Sequence, residues 1–279
     1  MSALGTCLGI YRERAHSPGR VGDDAAIMDR VGEALSARGF AVELRDAVGL
    51  EEAIAMPGAN IFAMCEQGAV LDRLSAACAS GAIVVNAPDA IRNTYRHRMI
   101  ELFARHGVSS PASRIVATDT REPPPNACVW LKRYDFHATQ ADDVMYAASQ
   151  EGWREGLCRF AARGIPFVVA QEHVRGDLIK FYGVGNRTSA AWFQWFYHRD
   201  KGMIGHEFDE GRLAAAARGA AAALGVEIFG GDAIIRPDGE PVIIDLNAWP
   251  SYALYRDQAA GAIAEYLAER FRRRPRAVT

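Results

Sequence analysis

Along the chain, apolar and polar residues follow two periods in alternation. The stretches 4–12 (LGTCLGIYR) and 40–46 (FAVELRD) read as strands, and between them Ile27, Val31 and Leu35 recur at every fourth position, predicting a helix over 24–38. Strand, helix, strand opens a parallel α/β unit. The pattern repeats through 59–66 (ANIFAMCE), the helical 68–80 (GAVLDRLSAACAS) and 82–86 (AIVVN), so an N-terminal α/β domain is expected over residues 1–88.

Further on, a helix is predicted over 94–105. The turn-rich GVSSPAS and the proline-rich REPPPNA lead the chain into CVWLKRYDF (128–136), a strand that carries Lys132. A short strand VMYAA and a helix over 153–162 follow. PFVVAQEHV, DLIKFYGVG and TSAAWFQWFYH read as three more strands. An Ala-rich helix over 212–224 precedes a hairpin over 229–247, an amphipathic helix closes the pattern, and RRRPRAVT reads as a solvated tail. Trp192, Trp195 and Phe196 are expected in lobe packing, with a second use as the lining of an acceptor pocket. Arg199 and Lys201 just after them are within reach of a phosphate.

Composition narrows the class. At 279 residues the chain suits an enzyme-sized protein built around one cleft, and no apolar run is long enough for a membrane span. The apolar N-terminal stretch is too short for a signal peptide. Five scattered cysteines without a C-x-x-C pair suggest neither a disulfide framework nor a zinc site, and fit a reducing cytoplasm. A net charge of −2 gives no argument for nucleic acid as a partner. Oligomeric state is not legible.

The candidate chemistry starts at IIDLNAWPSY (243–252), where Asp245 and Asn247 end an otherwise apolar strand. RPDGE is a strong turn signal between two apolar runs. If its loop holds two or four residues, Asp232 stands opposite Asp245 with Asn247 on the same face, and like charges so close call for a divalent cation such as Mg²⁺. A three-residue turn with a bulge would instead send the two carboxylates to opposite faces.

Asp, a hairpin, then Asp-x-Asn followed by Pro and a small residue resembles the metal-binding end of ATP-grasp enzymes. Lys132, the Gln171 to Val174 segment and Lys180 occur in the expected order. The resemblance implies an α/β ATP-grasp fold with the N-terminal domain at 1–88, a central lobe at 89–170 and a C-terminal lobe carrying the metal site at 171–279. It implies ATP and Mg²⁺ as cofactors. Lys132 and Lys180 would contact phosphates, Gln171 with the main chain around Glu172 and Val174 would receive adenine, and Asp177 would reach the ribose. Asp232, Asp245 and Asn247 would hold the metal.

Within that superfamily the loop KRYDFHATQ is similar to the inositol polyphosphate kinase pattern, here Lys132, His137, Ala138 and Thr139. DLNAWPSY is similar to the same branch, with Ser251 where the kinases carry Gly. The expectation is therefore a kinase moving the γ-phosphate to a hydroxyl of a small polyanion, with His137, Lys132 and Lys180 as catalytic groups. Arg12, Arg14, His16 and Arg20, at the carboxyl end of the first strand, together with Ser251, form the expected acceptor site. Arg92, Arg96, His97 and Arg98 form a second basic run, read as a solvated helix face. The alternative is a carboxylate-amine ligase working through an acyl phosphate, and the third reading is a non-catalytic nucleotide binder.

Overall fold

The computed structural model describes residues 5–47, 58–135, 137, 140–185, 192–198 and 202–272. Ala138, Thr139, Arg199, Lys201 and the tail from 273 lie outside the described residues.

Three four-stranded sheets organise the described residues. The first contains β1 (Thr6–Ile10), β2 (Ala41–Arg45), β3 (Asn60–Ala63) and β4 (Ile83–Val85), all parallel in the order β2-β1-β3-β4. Every residue of β3 is buried, as parallel strands covered on both faces require. Helices α1 (Val21–Ser36) and α2 (Gly68–Ala79) supply the cover. The expected stripe of α1, Ile27, Val31 and Leu35, is fully buried together with Met28. It packs in one cluster with Ile263, Leu267 and Phe271 of the closing helix.

After α3 (Pro88–Asn93) and α4 (Arg96–His106) comes an antiparallel sheet of β5 (Ser113–Ala117), β6 (Val129–Arg133), β7 (Val144–Ala147) and β8 (Phe167–Glu172), in the order β5-β8-β6-β7. Helix α5 (Gln150–Ala162) covers it, capped by Ser149, whose hydroxyl accepts from Gly152 N at 3.1 Å. Trp153, Leu157 and Phe160 of α5 bury themselves against Val129, Leu131 and Val168.

The third sheet, also antiparallel, holds β9 (Asp177–Val184), β10 (Trp192–Tyr197), β11 (Ile228–Ile235) and β12 (Pro241–Ala248) in the order β10-β9-β11-β12. Behind it lies the Ala-rich α6 (Glu210–Leu224), whose Ala217, Ala220 and Ala221 are fully buried. Side chains that small let the helix axis approach the sheet closely. Helix α7 (Arg256–Arg272) returns the chain to α1. Leu8, Ile10 and Ile61 of the first sheet share a core with Ile179, Phe181 and Phe229 of the third, whereas the second sheet keeps its own cluster. Fully burying each such aliphatic or aromatic side chain is worth about 1.5–3 kcal/mol. The first and third sheets therefore form one packed body, and a cleft opens between it and the second. Strand β8 runs through the expected division at 170/171 before ending at Glu172. Among the described residues no helix is long and apolar enough to cross a membrane, and all five cysteines are unpaired.

Candidate active site

The cleft, 1080 Å³ in volume, is floored by one row of side chains across the third sheet. Phe196 of β10 pairs with Lys180 of β9, Lys180 with Asp232 of β11, and Asp232 with Asp245 of β12. The turn joining β11 to β12 is the three-residue form, closed by Arg236 N to Glu240 O at 3.1 Å, with Gly239 at φ +78. The pairs next to this turn run Ile235 to Pro241 and Ala233 to Ile243, one out of step with Asp232 to Asp245. A bulge at Ile244 absorbs the difference and turns both carboxylates to the cleft. The Ile244 carbonyl accepts from Lys132 Nζ at 3.2 Å and from Gln171 Nε2 at 3.5 Å.

These groups form one charge network. Lys180 Nζ lies 2.7 Å from Asp232 Oδ1. Asp245 Oδ2 is 3.3 Å from Arg96, a side chain only 2% exposed, which also donates to Arg133 O at 3.1 Å. Burial alone would raise the Asp245 pKa, but Arg96 and Lys132 outweigh it and hold the carboxyl below its ordinary value. Lys132 is brought down to about 8, because burial costs its ammonium more than Asp245 and Asp232 return. Asn247 borders the same space. Two carboxylates and an amide oxygen on one face fit Mg²⁺, which takes oxygen ligands and shares its sphere with substrate phosphates. The described residues contain no cluster of three or more His, Cys, Asp or Glu side chains suited to a metal. Phosphate oxygens would therefore complete the coordination.

At the far end of the cleft, Gln171 is buried and pairs with Trp130 across β8 and β6, and both border the space with Glu172 and Leu178. Val174 does not border it. Asp177 is fully buried, and its carboxylate accepts the backbone N–H groups of Ile204, Gly205 and His206 at 2.6, 2.9 and 2.7 Å. Three such bonds hold its pKa down despite burial and tie the 204–206 loop to β9, so the side chain expected at the ribose is spent on structure.

At the near end the first sheet contributes. Arg12 is almost buried, and its three nitrogens serve three partners: Nη1 lies 3.0 Å from Glu66, Nη2 donates to Trp249 O at 2.6 Å, and Nε is 3.6 Å from Asp24. Glu66, at the carboxyl end of β3, also meets His137 Nδ1 at 2.7 Å, and His16 lies 3.8 Å away. Burial opposes the Glu66 charge, yet Arg12, His137 and His16 bring its pKa down to about 2. His137 responds in the opposite sense: burial depresses it, but Glu66 raises it above its usual value. Arg20 and Ser251 border the cleft, Arg20 exposed and Ser251 buried, while Arg14 is exposed and does not border it. Ser251 is carried by a turn in which Trp249 and Tyr252 adopt left-handed φ of 43 and 50. Non-glycine residues stay there only when overdetermined. Trp249 stacks on Phe62 with centroids 6.0 Å apart, and Tyr252 Oη donates to Gly183 O and Phe229 O at 3.0 and 3.1 Å.

The structure thus brings together Lys132, Lys180, Asp232, Asp245, Asn247, Gln171, His137, Arg12, His16, Arg20 and Ser251, and leaves Arg14, Val174 and Asp177 off the cleft wall. Three site residues escape the sequence reading: Glu66, Asp24 and Arg96. Glu66 had a usable signal, an acidic residue immediately after an apolar parallel strand. Arg96 had none that separated it from its basic neighbours, and the expectation of a solvated face is corrected for this residue.

A parallel sheet followed by two antiparallel sheets that close on a charged cleft is the ATP-grasp fold, and solved structures agree with it over 95% of the chain. No family model and no curated protein matches the sequence. Among solved structures, the chain is similar to D-cycloserine synthetase DcsG at 18% identity and a TM-score of 0.66, covering 95% of this chain and 99% of that one. It is similar to a RimK domain protein ATP-grasp from Sphaerobacter thermophilus at 18% identity and 0.66, covering 94% and 99%. It is also similar to D-alanine–D-alanine ligase from Bacillus anthracis complexed with ATP, at 11% identity and 0.70, covering 95% and 98%. At such identities the likeness is one of fold.

The expectation of a kinase in preference to a ligase is corrected here. The solved structures it resembles over nearly their full length include D-alanine–D-alanine ligases, a D-Ala:D-Ser ligase and a synthetase. The site gives a physical reason: of the arginines read as a polyanion clamp, Arg12 is neutralised by Glu66 and Asp24, and Arg14 is off the cleft.

Proposed function

We propose that this protein is an ATP-dependent carboxylate-amine ligase acting on small, amino-acid-like substrates through an acyl phosphate. The observation that carries the reading is the charge balance at the near end of the cleft, where Arg12 is matched by buried Glu66 and Asp24. A wall of that kind suits a zwitterion and does not suit a polyphosphate, whose four or more negative charges would call for unmatched cations. The ligase neighbours, among them enzymes whose names specify D-alanine and D-cycloserine, support the same choice.

In this reading Lys132 and Lys180 bind the ATP phosphates, and Gln171 with the main chain of Glu172 receives adenine. Asp232, Asp245 and Asn247 would hold Mg²⁺, which supplies charge neutralisation at the transferring phosphoryl group. A substrate carboxylate oxygen attacks the γ-phosphorus and ADP leaves; an amine then attacks the acyl carbon and inorganic phosphate leaves. The protein's part is mainly positioning and electrostatics. The test is phosphorus NMR and mass spectrometry of the protein with Mg-ATP and a panel of D- and L-amino acids, singly and in pairs. ADP and free phosphate in equal amounts with a condensed product are expected. A phosphoester product, or no ADP with any pair, would overturn the reading.

A further inference from the structure

The ligase reading leaves one proton unassigned. An amine that attacks an acyl phosphate must lose a proton as its N–C bond forms, and a positioned base is worth about 10²–10⁴-fold in such a step. We infer that His137 is that base and that Glu66 is the residue that orients it; the inference rests on the ligase reading.

The two residues come from different parts of the molecule. Glu66 follows β3 in the first sheet, and His137 follows β6 in the second, so their 2.7 Å contact spans the near end of the cleft. Glu66 is locked from every side. Its backbone N–H donates to Glu13 at 3.0 Å, its carbonyl accepts from Tyr95 Oη at 2.6 Å, and its second carboxylate oxygen is held by Arg12 at 3.0 Å. The carboxylate is only 6% exposed and is ionised at any working pH. It therefore accepts Nδ1–H of His137, which puts the lone pair of the neutral imidazole on Nε2. His137 borders the cleft.

The proton balance closes on this pair. The amine nitrogen bonds to the acyl carbon, the carbon–oxygen bond to phosphate breaks, and phosphate departs with those electrons. The nitrogen's proton passes to His137 Nε2, and Glu66 stabilises the imidazolium until solvent takes the proton. The charged and titratable groups around the ring are Arg12 and His16 from the segment between β1 and α1, Glu66 from the segment after β3 and Asp245 from β12. The hydrogen-bonded Glu66 carboxylate raises His137 above its usual value. Only its neutral form can take the proton, so the amine step should accelerate as pH climbs through the raised pKa.

Hydroxylamine separates this role from phosphate binding. It is uncharged near neutral pH and attacks acyl phosphates without a base, so it reports the first half-reaction alone. The full chain, its His137→Gln variant and its Glu66→Gln variant are given Mg-ATP and the amino acid that the panel identifies, with either glycinamide or hydroxylamine as nucleophile. Amide formation by His137→Gln should fall about 10²–10⁴-fold while hydroxamate formation stays within a few fold. Glu66→Gln should keep part of the amide rate and move its pH profile to lower pH, a shift that a purely structural loss does not produce; this variant carries the test if His137→Gln does not fold. Equal loss of amide and hydroxamate would assign His137 to phosphoryl transfer, and no loss of either would remove it from catalysis; each outcome overturns the inference. Wild-type protein that forms neither product would overturn the ligase reading itself.

Discussion

Asp232 stands opposite Asp245 even though the turn between their strands is in the register that would separate them. The three-residue turn shifts β12 by one position, and the extra residue at Ile244 shifts it back. The carbonyl of that extra residue serves the cleft: Lys132 and Gln171, from the opposing sheet, both donate to it. One irregularity thus aligns the carboxylates and supplies the acceptor that draws Lys132 and Gln171 to the same floor.

The two carboxylates should separate in their effects on stability. Asp245→Asn leaves Arg96 buried beside a neutral amide, and breaking a buried ion pair costs about 3–5 kcal/mol. The Lys180–Asp232 pair is partly exposed, so Asp232→Asn should cost about 1 kcal/mol or less. Both variants should lose ADP formation by about a thousandfold or more, each removing charge from the face proposed to hold Mg²⁺. Urea denaturation beside steady-state kinetics checks the pair, and equal stability losses would show that Arg96 finds other compensation.

Lys132 gives a pH dependence of definite sign. Its pKa is about 8 in the folded chain against an ordinary lysine value of 10.5, so between those values the unfolded chain holds a proton that the folded chain has released. Stability from this group therefore rises with pH across that window, and below pH 8 the buried ammonium is a net penalty. Lys132→Met should stabilise the ligand-free protein at neutral pH by about 1–3 kcal/mol, an advantage that shrinks above pH 8. ATP affinity should move the other way, absent in the variant and declining in wild type as pH rises past 8. Calorimetric titration of ATP across the window, with thermal melts, reads both.

The legible part of this molecule follows from period and turn chemistry. The α1 stripe, the β strands of all three sheets and the hairpin at RPDGE announce themselves because burial on one face imposes a repeat that polar residues interrupt. Lys132, Lys180, Asp232 and Asp245 are legible for a related reason: each is a charge inside an apolar strand, which requires a partner. The alignment of the carboxylates was reachable only through an assumed loop length, since neither a three-residue turn nor a compensating bulge leaves a mark in composition. Arg96 and Asp177 mislead in opposite directions. A basic residue in a basic helix is drawn inward by a carboxylate far away in sequence, and an Asp beside Gly176 turns away to serve three backbone N–H groups. Long-range pairing decides both, and no local pattern encodes it.

Asn86 ties the first sheet to the third. Fully buried, it donates to Ile228 O and accepts from Glu227 N and Ile228 N, all at 2.8 Å. Asn86→Ala would strand all three backbone groups out of water, at about 1–3 kcal/mol for each that finds no substitute. A loss of about 3 kcal/mol in urea denaturation is expected, with the ATP affinity of the folded fraction unchanged. Asn86→Asp should recover little, because it removes the donor and buries a charge.

Arg12 allows the sharpest separation of charge from shape. Its guanidinium spans Glu66, Asp24 and the carbonyl of Trp249, linking the first-sheet end of the cleft to the strained turn that carries Ser251. A lysine ammonium is a single point and cannot hold partners spread around a planar fork. Arg12→Lys should therefore keep Glu66 ionised while releasing the Trp249 carbonyl, raising the acceptor KM about tenfold or more and leaving the KM for ATP nearly unchanged. Arg12→Met goes further, since it leaves Glu66 buried with only its histidines, and about 3–5 kcal/mol of stability should go with it. Adding Glu66→Gln to Arg12→Met removes the stranded charge and should return part of that loss. A double-mutant cycle in urea reads the coupling directly, with about 1–3 kcal/mol expected. A coupling near zero would mean that Arg12 acts through the Trp249 carbonyl alone, and the charge balance invoked for a zwitterionic substrate would lose its anchor.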